Sequence, residues 1–96
     1  MCQLDRLQRL KAEIYRIAHR HNARKVYVFG SCARKEETPE SDVDLLVDLR
    51  PHATLFDMMD IQDALEALLD CKVDVISKNG LNPYLRESVL KEAVLL

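Results

Sequence analysis

The chain has 96 residues, 48% of them hydrophobic, with 14 Lys and Arg set against 16 Asp and Glu for a formal charge of −2. That length suits one compact domain over residues 1–96, expected to bury roughly 60–65% of the surface its unfolded form exposes, with no room expected for a second domain. The charge provides no long-range field to draw the molecule to nucleic acid, and no apolar run approaches a signal-peptide core or a membrane span. Cys2, Cys32 and Cys71 show no CxxC spacing, so neither a disulfide framework nor a zinc site is expected and a reducing, cytoplasmic setting is.

Leu4, Leu7, Leu10, Ile14 and Ile17 recur at intervals of three and four, which predicts one amphipathic helix to about His21. Arg16, His19, Arg20, His21, Arg24 and Lys25 gather at its end, read either as a solvated helix terminus or as a positive rim near a triphosphate. Val26 to Phe29 forms a β-rich run that Gly30 stops. A short helix is expected from Ser31 to about Glu36, before Thr38 and Pro39 break it. Asp42 to Leu49 reads as a second strand with Val43, Leu45, Val47 and Leu49 on one face and Asp42, Asp44, Leu46 and Asp48 on the other. Thr54 with Asp57 resembles a capping box, opening a long helix whose apolar face is expected at Phe56, Met59, Leu65, Leu68 and Leu69. Lys72 to Ser77 supplies a third strand, ended by Asn79-Gly80. Asn82 as cap and Pro83 at the first helical position begin a final helix, with Leu85, Val89 and Val94 as its inward residues. The expected fold is therefore α/β (α+β), a three-stranded sheet with helices packed on it in a two-layer arrangement, in the order α-β-α-β-α-β-α.

Three features of this pattern bear on chemistry. Gly30-Ser31 stands at a strand-to-helix junction, where the absence of a Cβ lets a phosphate approach and the amides of the next turn face an anion. Taken alone it is also an ordinary turn. Asp42 and Asp44 are two residues apart on a strand, on one face and roughly 6.7 Å apart at the backbone, a spacing that can converge on one cation. Their mutual repulsion is relieved by a divalent ion, although acidic residues on an edge strand also serve simply to discourage aggregation. Asp74 lies amid Val73, Val75 and Ile76, and a carboxylate there is costly unless paired or metal-bound. If the second and third strands are neighbours, three carboxylates surround one or two hard cations and stabilise an in-line displacement. His19 and His21 point in different directions on a helix and do not suggest a shared metal, and Asp48 reads as structural.

From Gly30-Ser31-Cys32-Ala33-Arg34 to Ser41-Asp42-Val43-Asp44-Leu45 the chain resembles the Gly-Ser, ten-residue spacer, Asp-x-Asp motif of the DNA polymerase beta-like nucleotidyltransferase superfamily. The likeness extends through Lys72-Val73-Asp74-Val75, where the superfamily has its third carboxylate, and into the final helix. More narrowly it resembles the minimal nucleotidyltransferase (MNT) antitoxins that accompany HEPN-domain toxins. The resemblance implies an antitoxin of a type VII-like HEPN/MNT system, a protein adenylyltransferase that moves AMP from ATP to a tyrosine of its HEPN ribonuclease toxin and silences it. It assigns Asp42, Asp44 and Asp74 to metal binding and catalysis with Mg²⁺, as two ions, and Gly30, Ser31 and Arg34 to the triphosphate. It also implies a hetero-oligomer with the toxin and no direct contact with nucleic acid or membrane. One departure stands out: Lys35 replaces the glycine common after the Ala-Arg pair.

Two other functions stay open on sequence. A nucleotidyltransferase acting on a small molecule such as an aminoglycoside would ordinarily carry an acceptor-binding domain that this length lacks. An antitoxin that masks its partner sterically would leave the three carboxylates idle.

Overall fold

The computed structural model describes residues 3–30, 43–80 and 82–96, and within them the N-terminal amphipathic segment is two helices, α1 (Gln3–Arg9) and α2 (Lys11–Arg20). The interruption falls at Leu10, whose φ of −95° and ψ of 11° leave the helical range. The Leu10 and Ile14 amides nevertheless donate to Arg6 and Leu10 carbonyls at 3.1 and 2.9 Å, so the hydrogen-bond ladder bridges the break. No Gly or Pro marks this joint, which is why periodicity alone predicts one helix. Leu7 and Ile14 are fully buried and Leu10 and Ile17 pack against the core, so the expected inward stripe holds at these four positions, while the side chain of Leu4 lies outside the described residues.

Strand β1 (Ala23–Phe29) follows a left-handed residue, Asn22, and strand β2 (Val43–Leu49) lies antiparallel to it. Helix α3 (Leu55–Leu69) opens with the complete capping box that Thr54 and Asp57 predict: the Asp57 amide donates to Thr54 Oγ1 at 3.4 Å and the Thr54 amide to Asp57 Oδ2 at 2.9 Å. At its other end the Arg6 guanidinium donates to the Leu69 carbonyl, satisfying an acceptor that the helix cannot. Strand β3 (Val73–Ser77) then pairs parallel to β2, and a 3₁₀ turn (Lys78–Gly80) leads to α4 (Pro83–Glu92), capped by Asn82 with Pro83 in the first turn as expected.

Among the described residues the sheet has four strands, not three, in the order β3-β2-β1-β4. The added strand, β4 (Val94–Leu95), pairs Val94 with Val28 and Leu95 with Tyr27. Val94 is thus a strand residue rather than an inward position of the last helix. The helix stops at Glu92, Ala93 is extended, and the short apolar tail satisfies backbone groups along the outer edge of β1. A two-residue strand leaves no periodicity to read. The predicted helix at Ser31 to Glu36 lies outside the described residues, as does the side chain of Leu85.

One face of the sheet carries the core. Val26 and Val28 of β1, Val43, Leu45 and Val47 of β2, and Val73 and Val75 of β3 meet Leu7, Ile14 and Ala18 of α1 and α2 and Ile61, Leu65 and Leu69 of α3. The expected two-layer arrangement holds there. Within α3, however, Phe56 and Met59 are not inward: they are 75% and 54% exposed. Ile61, Leu65 and Leu69 set the buried line, and at about 100° per residue Met59 lies some 200° and Phe56 some 140° away from Ile61, whereas Met58 lies about 60° away and packs inward.

Candidate active site

The alternation of β1 and β2 sends every second side chain away from the helices, and the opposite face holds the acidic residues. Asp44 is the register partner of Phe29 on β1 and of Asp74 on β3. Adjacent strands lie about 4.8 Å apart, so the Asp44 and Asp74 side chains stand beside each other on one face, both half-buried. β2 and β3 are neighbours, the condition on which the association of Asp74 with the Asp-x-Asp pair depends.

Gly30 completes this corner. Its φ is +72°, a left-handed conformation, and a Cβ built on it would fall 2.5 Å from Asp44 Oδ2 and 3.3 Å from its Cγ. The chain leaving β1 therefore passes with its bare backbone against the Asp44 carboxylate, and only glycine combines that approach with that φ. A glycine at a strand-to-helix junction points to phosphate; the contact of Gly30 with Asp44 follows instead from the antiparallel register of β1 and β2.

Ser31, Arg34 and Asp42, the other expected members of the site, lie outside the described residues. Among the described residues no three His, Cys, Asp or Glu side chains gather around a point that could hold a metal. The two carboxylates present fit a hard divalent cation: oxygen ligands only, like charges side by side, and a glycine backbone leaving the space beside one of them open. Asp42, two residues ahead of Asp44, is the remaining candidate ligand.

Asp48 is on the same face but roughly 13 Å further along β2, where Arg24 reaches its Oδ2 at 3.5 Å. Arg24 and Lys25 sit at the start of β1, the end remote from Gly30. The basic cluster is consequently distant from the acidic corner, which favours the reading of a solvated helix terminus over a triphosphate rim. His19 makes an edge contact with Tyr15, its ring centroid 5.6 Å away, and His21 Nδ1 lies 3.9 Å from Asp60. Beside the carboxylates, Tyr27 and Phe29 of β1 and Ile76 of β3 add half-buried apolar surface, and Lys78 Nζ sits 5.7 Å from the Tyr27 ring centroid. Alternation within β1 implies this placement of Tyr27 and Phe29 once Val26 and Val28 are assigned to the core.

A sheet with α1, α2 and α3 on one face, and on the other an aspartate pair met by a glycine turn from the preceding strand, is the frame of a nucleotidyltransferase. Residues 12–96 match the family described as polymerase beta, nucleotidyltransferase, and the chain belongs to that family. It is 36% identical over 85 residues to the protein adenylyltransferase MntA of Thermococcus cleftensis, covering 88% of this chain and 86% of that one. A solved structure of a candidate minimal nucleotidyltransferase superposes with a TM-score of 0.88 at 44% identity, covering 97% of this chain and 95% of that chain. The fold alone is shared with a chain of the solved complex of a tri-AMPylated Shewanella oneidensis HEPN toxin and an MNT antitoxin, at a TM-score of 0.69 and 18% identity over 92% of this chain and 69% of that chain.

Proposed function

We propose that this chain is a Mg²⁺-dependent protein adenylyltransferase, a single minimal nucleotidyltransferase domain over residues 1–96. In this reading it transfers AMP from ATP to a tyrosine of a cognate HEPN ribonuclease toxin, and so acts in the cytoplasm as the antitoxin of a type VII-like HEPN/MNT pair. The observation that carries the reading is the register pairing of Asp44 with Asp74, with Gly30 placed against Asp44. The naming of the Thermococcus relative and the AMPylated state of the Shewanella complex support protein as the acceptor.

Asp42, Asp44 and Asp74 would hold Mg²⁺, which when bound would neutralise charge on the triphosphate and on the pyrophosphate. Gly30 and Ser31 receive the outer phosphates through backbone amides and the serine hydroxyl, and Arg34 adds positive charge. Asp74 accepts the proton of the acceptor hydroxyl as its oxygen attacks the α-phosphorus. The new O–P bond forms while the bond to the bridging oxygen of the β-phosphate breaks, and pyrophosphate leaves. Positioning and electrostatics supply most of the rate, since the protein forms no covalent bond of its own.

The test takes a HEPN-domain protein of the same organism that co-purifies with this chain and incubates it with ATP, Mg²⁺ and either wild type or the Asp42→Ala/Asp44→Ala variant; recovery of no such partner also contradicts the reading. Toxin silenced only by wild type, with a mass gain in multiples of AMP, is expected. Silencing that survives the double substitution without a mass change would establish steric masking instead.

A further inference from the structure

Three large apolar side chains at the start of α3 face outward: Leu55 is 70%, Phe56 75% and Met59 54% exposed. They are neighbours on about one helical turn, and the core of α3 is already complete without them through Ile61, Leu65 and Leu69. Next to them runs a groove of about 190 Å³ lined by Leu55, Met58, Met59, Gln62, Asp63 and Val75. Val75 belongs to β3, the edge strand of the sheet, and directly follows Asp74. The groove therefore opens at the edge strand on the helix-covered side, and the Asp74 side chain, pointing to the opposite face, lies around that edge.

Resting on the reading of this chain as a protein adenylyltransferase, we propose that this turn and groove are where the protein acceptor docks, and that the acceptor presents there an apolar face rimmed by Lys and Arg.

The charge on α3 selects that partner. Leu55–Leu69 contains Asp57, Asp60, Asp63 and Glu66 and no Lys or Arg, so an apolar centre is bordered by one sign of charge. Protein interfaces concentrate aromatic residues and Met at their centres and polar groups at the rim, and an acidic rim steers a basic partner. A second copy of this chain is the poorer occupant, because a twofold contact brings the same surface to itself and would set α3 carboxylates against α3 carboxylates. Strand addition along β3 is also disfavoured at this point. The Val43 amide donates to the Lys72 carbonyl at 3.1 Å, which directs the Val75 amide to the outer edge, and there it donates to Gln62 Oε1 at 3.4 Å. The partner is held by side chains entering the groove and reaches around the β3 edge, so that its acceptor hydroxyl meets Asp74 on the opposite face of the sheet.

The experiment measures the affinity of the co-purifying HEPN-domain protein for wild type, Phe56→Glu, Met59→Glu, and Asp44→Asn/Asp74→Asn by calorimetry, at low and at physiological salt. Both patch positions are exposed, and thermal unfolding confirms that each variant is folded. The expected result is a loss of at least about tenfold for each patch variant, wild-type affinity for the aspartate variant, and weaker wild-type binding at higher salt. Unchanged affinity in folded Phe56→Glu and Met59→Glu overturns the proposal. So does a change confined to self-association, seen by sedimentation, which would assign the patch to a second copy. If wild type fails to adenylylate the partner, the functional reading fails on its own; if wild type and Phe56→Glu adenylylate it with equal KM, only the docking site fails.

Discussion

Replacing Gly30 by Ala should separate stability from activity at one atom. A non-glycine residue at φ +72° costs about 1–2 kcal/mol. The new Cβ would also meet Asp44 Oδ2 at 2.5 Å, but that oxygen is the end of a rotatable carboxylate, so the clash is relieved by turning Asp44. This adds only about 0.5–1.5 kcal/mol of rotamer strain while removing the carboxylate from its place beside Asp74. The melting temperature is expected to fall by about 4–8 °C per kcal/mol, and nucleotidyl transfer by about a hundredfold, the order of loss for a catalytic group displaced by an ångström. The assay is a double-mutant cycle with Asp44→Ala, scored by thermal unfolding and by transfer rate. Gly30→Ala should cost no further activity in the Asp44→Ala background, and less stability than in wild type, because the clash is gone. Full activity in Gly30→Ala, or an equal loss in both backgrounds, would refute the contact.

Asp74→Asn should slow transfer by about 10²–10⁴-fold, the contribution of a positioned base, without lowering the melting temperature, because it removes one of two adjacent like charges; a lowered melting temperature with undiminished rate contradicts this. Mg²⁺ should raise the melting temperature of wild type and lose that effect in Asp44→Asn/Asp74→Asn, as binding to the folded state alone requires. The Thr54 amide and the Asn22 side chain hold the Asp57 carboxyl below its ordinary value. Because the folded value is lowered, this contribution to stability is fully present above the ordinary value of 3.8 and is lost as pH falls through the lowered one. Melting curves across that acidic range should therefore decline more steeply for wild type than for Asp57→Asn. Leu65 is fully buried, and Leu65→Ala should cost about 2–5 kcal/mol, read as a lower urea midpoint with an unchanged slope.

Local rules carried far in this chain. The capping box at Thr54, the Asn82-Pro83 helix start, and the alternation of Val43, Leu45 and Val47 with Asp44 and Asp48 all follow from backbone geometry within a few residues, and the fold realises them. What depended on distant pairing was not legible. The parallel neighbouring of β2 and β3 that sets Asp44 beside Asp74, the approach of Gly30 to Asp44, and the two-residue β4 all arise from contacts between segments well separated in sequence. Phe56 and Met59 show the limit of counting apolar residues in a helix. Their angular position relative to Ile61 places them outside, and only the buried line through Leu65 and Leu69 reveals which face is which.

Asp44 and Asp74 form the acidic corner that Asp42 is proposed to complete, and a crystal structure with a non-hydrolysable ATP analogue and Mg²⁺ tests this most directly. Metal density between these three aspartates, with the triphosphate over Gly30 and Ser31, is the predicted result. A metal bound elsewhere, with the nucleotide away from Gly30, would contradict it.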